Sequence, residues 1–142
     1  MRNLPCLLLA MLLVFLSCEK PAPTDLSKAA LIPFPESIFP THERFCLQNG
    51  TVIHVWDDIL PLAEYLEEML EAATQLDITV EKGELATGPN HIYLELMDDY
   101  ANEEGPEFYE LSINKKKVNL MSKTPAGVFR GLQTLLQLVP AT

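Results

Sequence analysis

The sequence predicts an α/β sandwich, a small mixed or antiparallel sheet with two helices on one of its faces. Some segments alternate apolar and polar residues, as half-buried strands do, and two others repeat apolar residues every three to four positions, as amphipathic helices do. The strand-like segments lie before, between and after the two helical ones. A length of 142 residues with 48% hydrophobic content suits one such domain.

The first 17 residues are typical of a signal peptide. Arg2 is followed by an almost wholly apolar run from Leu4 to Leu16. The run Phe15–Cys18 then resembles a bacterial lipobox, although Phe15 stands where leucine is usual. The resemblance implies that Cys18 is acylated and anchors the mature protein in the bacterial cell envelope, on the periplasmic or outer-membrane face. An ordinary cleaved secretory signal is the alternative.

A tether is expected over residues 18–30, where Pro21 and Pro23 accompany small and polar residues. The folded domain is then expected over residues 31–142. With Cys6 in the signal and Cys18 acylated, Cys46 remains alone, so we interpret it as a small buried hydrophobe.

The first strands are predicted on either side of a turn. Asn49–Gly50 is a strong hairpin signal, and it separates Phe45–Leu47 from Thr51–Trp56. The sequence therefore predicts an antiparallel hairpin at this point.

A helix is predicted over Leu60–Gln75, with glutamates toward water. Strands are then predicted at Ile78–Glu81 and His91–Leu96. The apolar face of the helix consists of Leu62, Leu66, Met69, Leu70 and Ala73.

A second hairpin is predicted from the alternation in Tyr109–Ile113 and Val118–Met121, around a turn at Lys115–Lys116. Thr124 can then cap a helix that starts at Pro125 and ends near Leu138. Its apolar stripe consists of Val128, Leu132, Leu135, Leu136 and Val139.

Two glycines, Gly127 and Gly131, lie four residues apart in this helix, where each costs about 1 kcal/mol relative to alanine. A close approach of another chain segment would explain them. Either the helix packs there on the domain's own sheet, or this is a docking face for a neighbouring domain. In the second interpretation Arg130, on the same helix, makes an interdomain contact.

Three segments carry a family resemblance. They are LIPFPES at 31–37, YELSINKKKVNLMSKT at 109–124 and TPAGVFRGLQTLLQLVP at 124–140. Together they resemble the two ends of the non-catalytic N-terminal domain of family 20 glycoside hydrolases, the β-N-acetylhexosaminidases. The resemblance implies a small α/β domain that packs against a catalytic TIM barrel, its expected partner.

The chemistry of that family lies in the barrel. There an adjacent Asp-Glu pair assists attack by the substrate's own acetamido group, an exception to the usual two-carboxylate scheme. This sequence contains no Asp-Glu dipeptide, and a barrel takes about 250 residues. No catalytic residue is therefore assigned, and no cofactor is expected. The chain alone is expected to be inactive.

Charge and residue spacing argue against other partners. The chain has ten basic and 20 acidic residues, and its net charge of −10 disfavours binding to nucleic acid. The acidic segment Asp98–Glu107 lacks the spacing of a calcium-binding loop, and the three histidines lack a zinc-site spacing, so no metal site is predicted. Trp56 and Tyr65 could stack on sugars, but we interpret them as core residues.

Three functions are therefore considered. The first is the accessory domain of a lipid-anchored hexosaminidase, with this chain a truncated product or fragment. The second is a stand-alone carbohydrate-binding or interaction module of the cell envelope. The third is the remnant of a truncated gene.

Overall fold

The computed structural model of the chain describes residues 26, 29–83, 86–97 and 105–140. The predicted signal peptide at 1–17, Cys18 and most of the predicted tether lie outside these residues, so they stay predictions. Within the described part, no helix combines the length and the apolar character needed to cross a membrane.

The described residues form five strands and two α-helices, all of them predicted from the sequence, whereas a sixth predicted strand, Phe45–Leu47, is absent. A short 3-10 turn, Asp57–Ile59, joins the first strand to the first helix. In chain order the elements are β1 (Thr51–Val55), α1 (Leu60–Thr74), β2 (Ile78–Lys82), β3 (His91–Leu96), β4 (Tyr109–Ile113), β5 (Lys117–Ser122) and α2 (Pro125–Gln137).

The five strands form one mixed sheet in the order β2-β1-β3-β5-β4. β1 pairs in parallel with both β2 and β3, and β3 pairs in parallel with β5. Only β4 and β5 pair antiparallel, as the predicted second hairpin. The parallel pairs require crossovers, and α1 supplies the one between β1 and β2.

Both helices cover the same face of the sheet and enclose the core. The two helices contact each other. α1 packs on β1 and β2, and α2 packs on β3, β4 and β5. Alternate strand residues point into this layer because side chains alternate between the faces of a sheet. The largest fully buried side chains include Ile53, Leu66, Leu70, Ile92, Leu94, Leu120, Leu132 and Val128.

The hairpin predicted around Asn49–Gly50 is wrong. The turn exists, with Gly50 at a φ of +77°, but residues 45–47 form no strand. Both edges of β1 are already occupied by parallel partners, so no edge is left for an antiparallel strand. Phe45 and Leu47 instead pack against the core from outside the sheet.

The ends of the two helices agree with the local sequence signals to different degrees. Thr124 caps α2 as predicted, with its Oγ1 accepting a hydrogen bond from Gly127 N at 3.1 Å. For α1 the N-cap is Ile59, which makes no side-chain cap hydrogen bond. α1 ends at Thr74, and its C-cap Gln75 has a left-handed φ of 60° and donates its N–H to Glu71 O, which closes the last turn.

Candidate functional site

Gly127 and Gly131 lie on the side of α2 that faces the domain's own sheet. A Cβ at Gly127 would stand closer than 3.0 Å to Ser122 Oγ and to the carbonyl oxygen of Phe108. A Cβ at Gly131 would approach the Leu120 side chain just as closely. Packing on the sheet, one of the two interpretations of the sequence, therefore accounts for both glycines. An additional contact of theirs with another domain stays a prediction.

The outer side of the helical layer carries aromatic and polar side chains from both helices. We call it the outer helix surface and define it as Tyr65, Phe129, Arg130 and Gln133. Gln133 Nε2 donates to the Tyr65 hydroxyl at 3.2 Å, which links α2 to α1. The rings of Tyr65 and Phe129 lie 6.0 Å apart, and Phe129 remains 39% exposed. This surface therefore combines the hydrogen-bonded pair Gln133 and Tyr65 with the partly exposed ring of Phe129.

Arg130 forms an ion pair at the edge of the outer helix surface. Its Nη2 donates to Glu107 Oε1 at 2.9 Å. The hydrogen bond to Arg130, followed by the charge of its guanidinium, lowers the pKa of Glu107. The same hydrogen bond, followed by the charge of the Glu107 carboxylate, raises the pKa of Arg130. Both side chains are about half exposed, at 48% and 59%, and such pairs contribute little to stability. Arg130 is thus held in place while it remains accessible to a partner.

A histidine pair that the sequence does not predict lies on the opposite face of the sheet. His54 Nε2 and His91 Nδ1 are 2.9 Å apart, and His54 stacks on Tyr93. Burial, and then the neighbouring His91, lower the pKa of His54, while Glu81 on β2 opposes them. The parallel pairing of β1 with β3 brings these residues together, and residue spacing alone does not reveal it.

The histidine pair lacks the further ligands of a metal centre. Across the described part of the chain, no three His, Cys, Asp or Glu side chains group closely enough to hold a metal ion. Residues 98–104 of the acidic segment lie outside the described residues, so the prediction that they bind no calcium is untested.

Two residues that we interpreted as buried are exposed. Trp56 is 52% exposed, whereas Tyr65 packs against the core as expected. Cys46 is an exposed free cysteine rather than a buried hydrophobe. We inferred its burial from the lack of a partner cysteine or motif, which is a general tendency of lone cysteines and takes no account of the segment around it.

A shallow pocket lies beside Trp56. It has a volume of about 150 Å³ and is also lined by His54, Tyr93 and Glu95. This is below the roughly 300 Å³ at the lower end of small-molecule sites. The pocket therefore gives little support to a stand-alone sugar-binding module.

Comparison with known proteins agrees with the resemblance. Residues 28–142 match the family model described as glycosyl hydrolase family 20, domain 2. A beta-hexosaminidase of Porphyromonas gingivalis is 35% identical over 112 residues, which cover 78% of this chain and 14% of that protein.

Solved structures show the same fold. The GH20 β-N-acetylhexosaminidase from Streptomyces coelicolor matches with a TM-score of 0.70 and 30% identity, over 84% of this chain and 23% of that one. The N-acetyl-β-hexosaminidase of Streptomyces plicatus matches with a TM-score of 0.66 and 32% identity, over 85% of this chain and 23% of that one. This chain thus spans less than a quarter of the length of these relatives. It belongs to the glycosyl hydrolase family 20, domain 2 family.

Proposed function

We propose that this chain serves as the accessory domain of a longer β-N-acetylhexosaminidase, which removes terminal N-acetylhexosamine from glycans. The match of residues 28–142 to domain 2 of family 20 carries the proposal. In the hexosaminidases of P. gingivalis and S. coelicolor, the matched region is 14% and 23% of the protein. The remaining length in such a protein is ample for a catalytic barrel of about 250 residues.

In this proposal the domain supports the barrel and takes no part in bond cleavage. Arg130, at the edge of the outer helix surface, forms an exposed ion pair with Glu107, and the sequence contains no adjacent Asp-Glu pair. In the mechanism that the family resemblance implies, one carboxylic acid protonates the leaving group while an adjacent carboxylate orients the substrate's own acetamido nucleophile. The acid and the orienting carboxylate are therefore expected from the barrel.

Deletion in the longer protein tests this role. We expect removal of residues 31–140 to lower the melting temperature of the remaining barrel, because its docking surface becomes exposed to water. Activity on a chromogenic N-acetylglucosaminide, measured below that melting temperature, should persist in part because the reacting groups remain. Unchanged stability together with unchanged activity would contradict an accessory role.

Arg130 provides a sharper test of where the barrel packs. We expect Arg130→Ala to leave the melting temperature of the 142-residue chain unchanged, because the pair with Glu107 is exposed. The same substitution should lower the melting temperature of the longer protein, where the guanidinium would lose an interdomain partner. Lys116→Ala, at an exposed cation in the β4–β5 turn, serves as the control. An unchanged longer protein would show that Arg130 makes no interdomain contact.

We further propose that acylated Cys18 anchors the protein in the envelope of a bacterium, on the periplasmic or outer-membrane face. The apolar run Leu4–Leu16 followed by Ser17 and Cys18 supports it. Growth with a labelled fatty acid should label the wild-type protein but not Cys18→Ser. Labelling that persists in Cys18→Ser would refute lipidation at this residue.

A further inference from the structure

An extended segment at the start of the domain exposes large apolar side chains. Ile32, Phe34 and Phe39 are 79%, 60% and 85% exposed. Between Leu31 and Thr41, Glu36 is the single charged residue in the sequence. We call residues 31–43 the strap, and Ile32, Phe34 and Phe39 within it the apolar strap surface. Exposed apolar side chains of this size, close together in one short segment, are typical of a surface that a partner covers.

Hydrogen bonds hold the strap on the sandwich at the end of α2. Ile32 N donates to Gln137 Oε1 at 2.9 Å, and Gln137 Nε2 donates back to Ile32 O at 3.0 Å. Leu31 beside them is buried, with 7% of its surface exposed.

Further along, the strap is held at the β4–β5 turn. The Thr41 hydroxyl donates to Ile113 O at 3.4 Å, and Lys115 N donates to Glu43 Oε2 at 3.3 Å. With both of its ends attached, the strap presents its apolar side chains from a defined position. A preorganised surface binds a partner at a lower entropic cost than a loose segment does.

The position of the strap favours one occupant. Gln137, which pairs with Ile32, is the last residue of α2, so the surface lies where the chain leaves the domain toward its C-terminal end. A domain joined at that point acts at a high effective concentration. The net charge of −10 opposes both self-association and binding to anionic lipid. We propose that the apolar strap surface is covered by the catalytic domain of the longer protein, an inference that rests on the function proposed above.

Hydroxyl-radical labelling with mass spectrometry tests this contact. The 142-residue chain and the longer protein, both with Cys18→Ser and without lipid, are labelled at a concentration where each is monomeric. We expect oxidation of Phe34 and Phe39 to fall about threefold or more in the longer protein, because the core of an interface excludes water. Equal oxidation in the two proteins would overturn the proposal.

Two further arms identify other occupants. Oxidation of the 142-residue chain that falls as its concentration rises would assign the surface to a second copy. A fall in the longer protein that needs added phosphatidylethanolamine–phosphatidylglycerol vesicles would assign it to the membrane. Either result contradicts the proposal.

Activity separates this inference from the function on which it rests. An active longer protein with unprotected phenylalanines would refute the strap contact and leave the proposed function intact. An inactive longer protein that still protects them would refute the function and retain the contact.

Paired substitution gives an independent check of the contact. We expect Phe34→Ser with Phe39→Ser to lower the melting temperature of the longer protein and to leave that of the 142-residue chain unchanged. An equal change in both proteins, or none in the longer one, would count against the proposal.

Discussion

The substitution Gly127→Ala tests the close packing of α2 on the sheet. The added Cβ would stand closer than 3.0 Å to Ser122 Oγ and Phe108 O, a separation that real Cβ atoms essentially never show. Neither group can yield easily, because one is a backbone carbonyl and the other donates to it at 2.6 Å from a residue that is 2% exposed. The methyl group must therefore displace the helix or break that hydrogen bond.

The cost of Gly127→Ala can be estimated from these contacts. Overpacking costs about 1–3 kcal/mol, and disturbing a buried hydrogen bond adds about 1–2 kcal/mol. The better helix propensity of alanine returns about 1 kcal/mol. We therefore expect a net loss of about 2 kcal/mol in the free energy of unfolding, which lowers the melting temperature of a domain of this size by about 10 °C.

Urea and thermal denaturation of the 142-residue chain measure this loss. Gly105→Ala is the matched control, because a Cβ there meets nothing within 4 Å; we expect it to change stability by less than about 0.5 kcal/mol. Gly131→Ala should lie between the two, since the end of the Leu120 side chain can rotate aside. A Gly127→Ala protein as stable as the wild type would refute the packing argument.

Three other predictions concern stability. Thr124→Ala should cost about 1 kcal/mol in urea denaturation through loss of the α2 cap, whereas Thr87→Ala, at an exposed loop position, should have no effect. Leu132→Ala should cost about 2–5 kcal/mol, because this side chain is fully buried; a loss below 1 kcal/mol would contradict the core described above. The pKa of His54 is lowered in the folded state from its ordinary value of 6.5. The unfolded state therefore binds more protons than the folded state, and the free energy of unfolding should fall as pH drops below about 6.5 toward the folded pKa. His54→Gln should weaken this acid dependence and His42→Gln, at an exposed histidine, should not; equal slopes for all three proteins would refute it.

The sequence predicts the helices and strands of this fold better than it predicts which strands pair with each other. The β4–β5 hairpin and the cap at Thr124 follow from local signals, because the residues that interact are close in the chain. The partners of β1 are chosen by pairing with distant strands, and the local Asn49–Gly50 signal therefore misleads. The structure shows that β1 is buried on both faces, as parallel strands usually are.

The candidate site shows the same division between local and distant information. The sequence places Gly127, Arg130 and Gly131 on one helix but leaves open what the helix faces. Only the structure shows that both glycines meet the sheet while Arg130 pairs with Glu107. The exposed strap was equally hidden, because its apolar residues suggest burial until their positions are known.

Hydrolysis of a chromogenic N-acetylglucosaminide by the purified 142-residue chain tests the central claim most directly. The chain should release no product above the uncatalysed rate, while the protein extended through the downstream reading frame should hydrolyse the substrate. Activity in the 142-residue chain itself would contradict the account and place catalytic carboxylates within this domain.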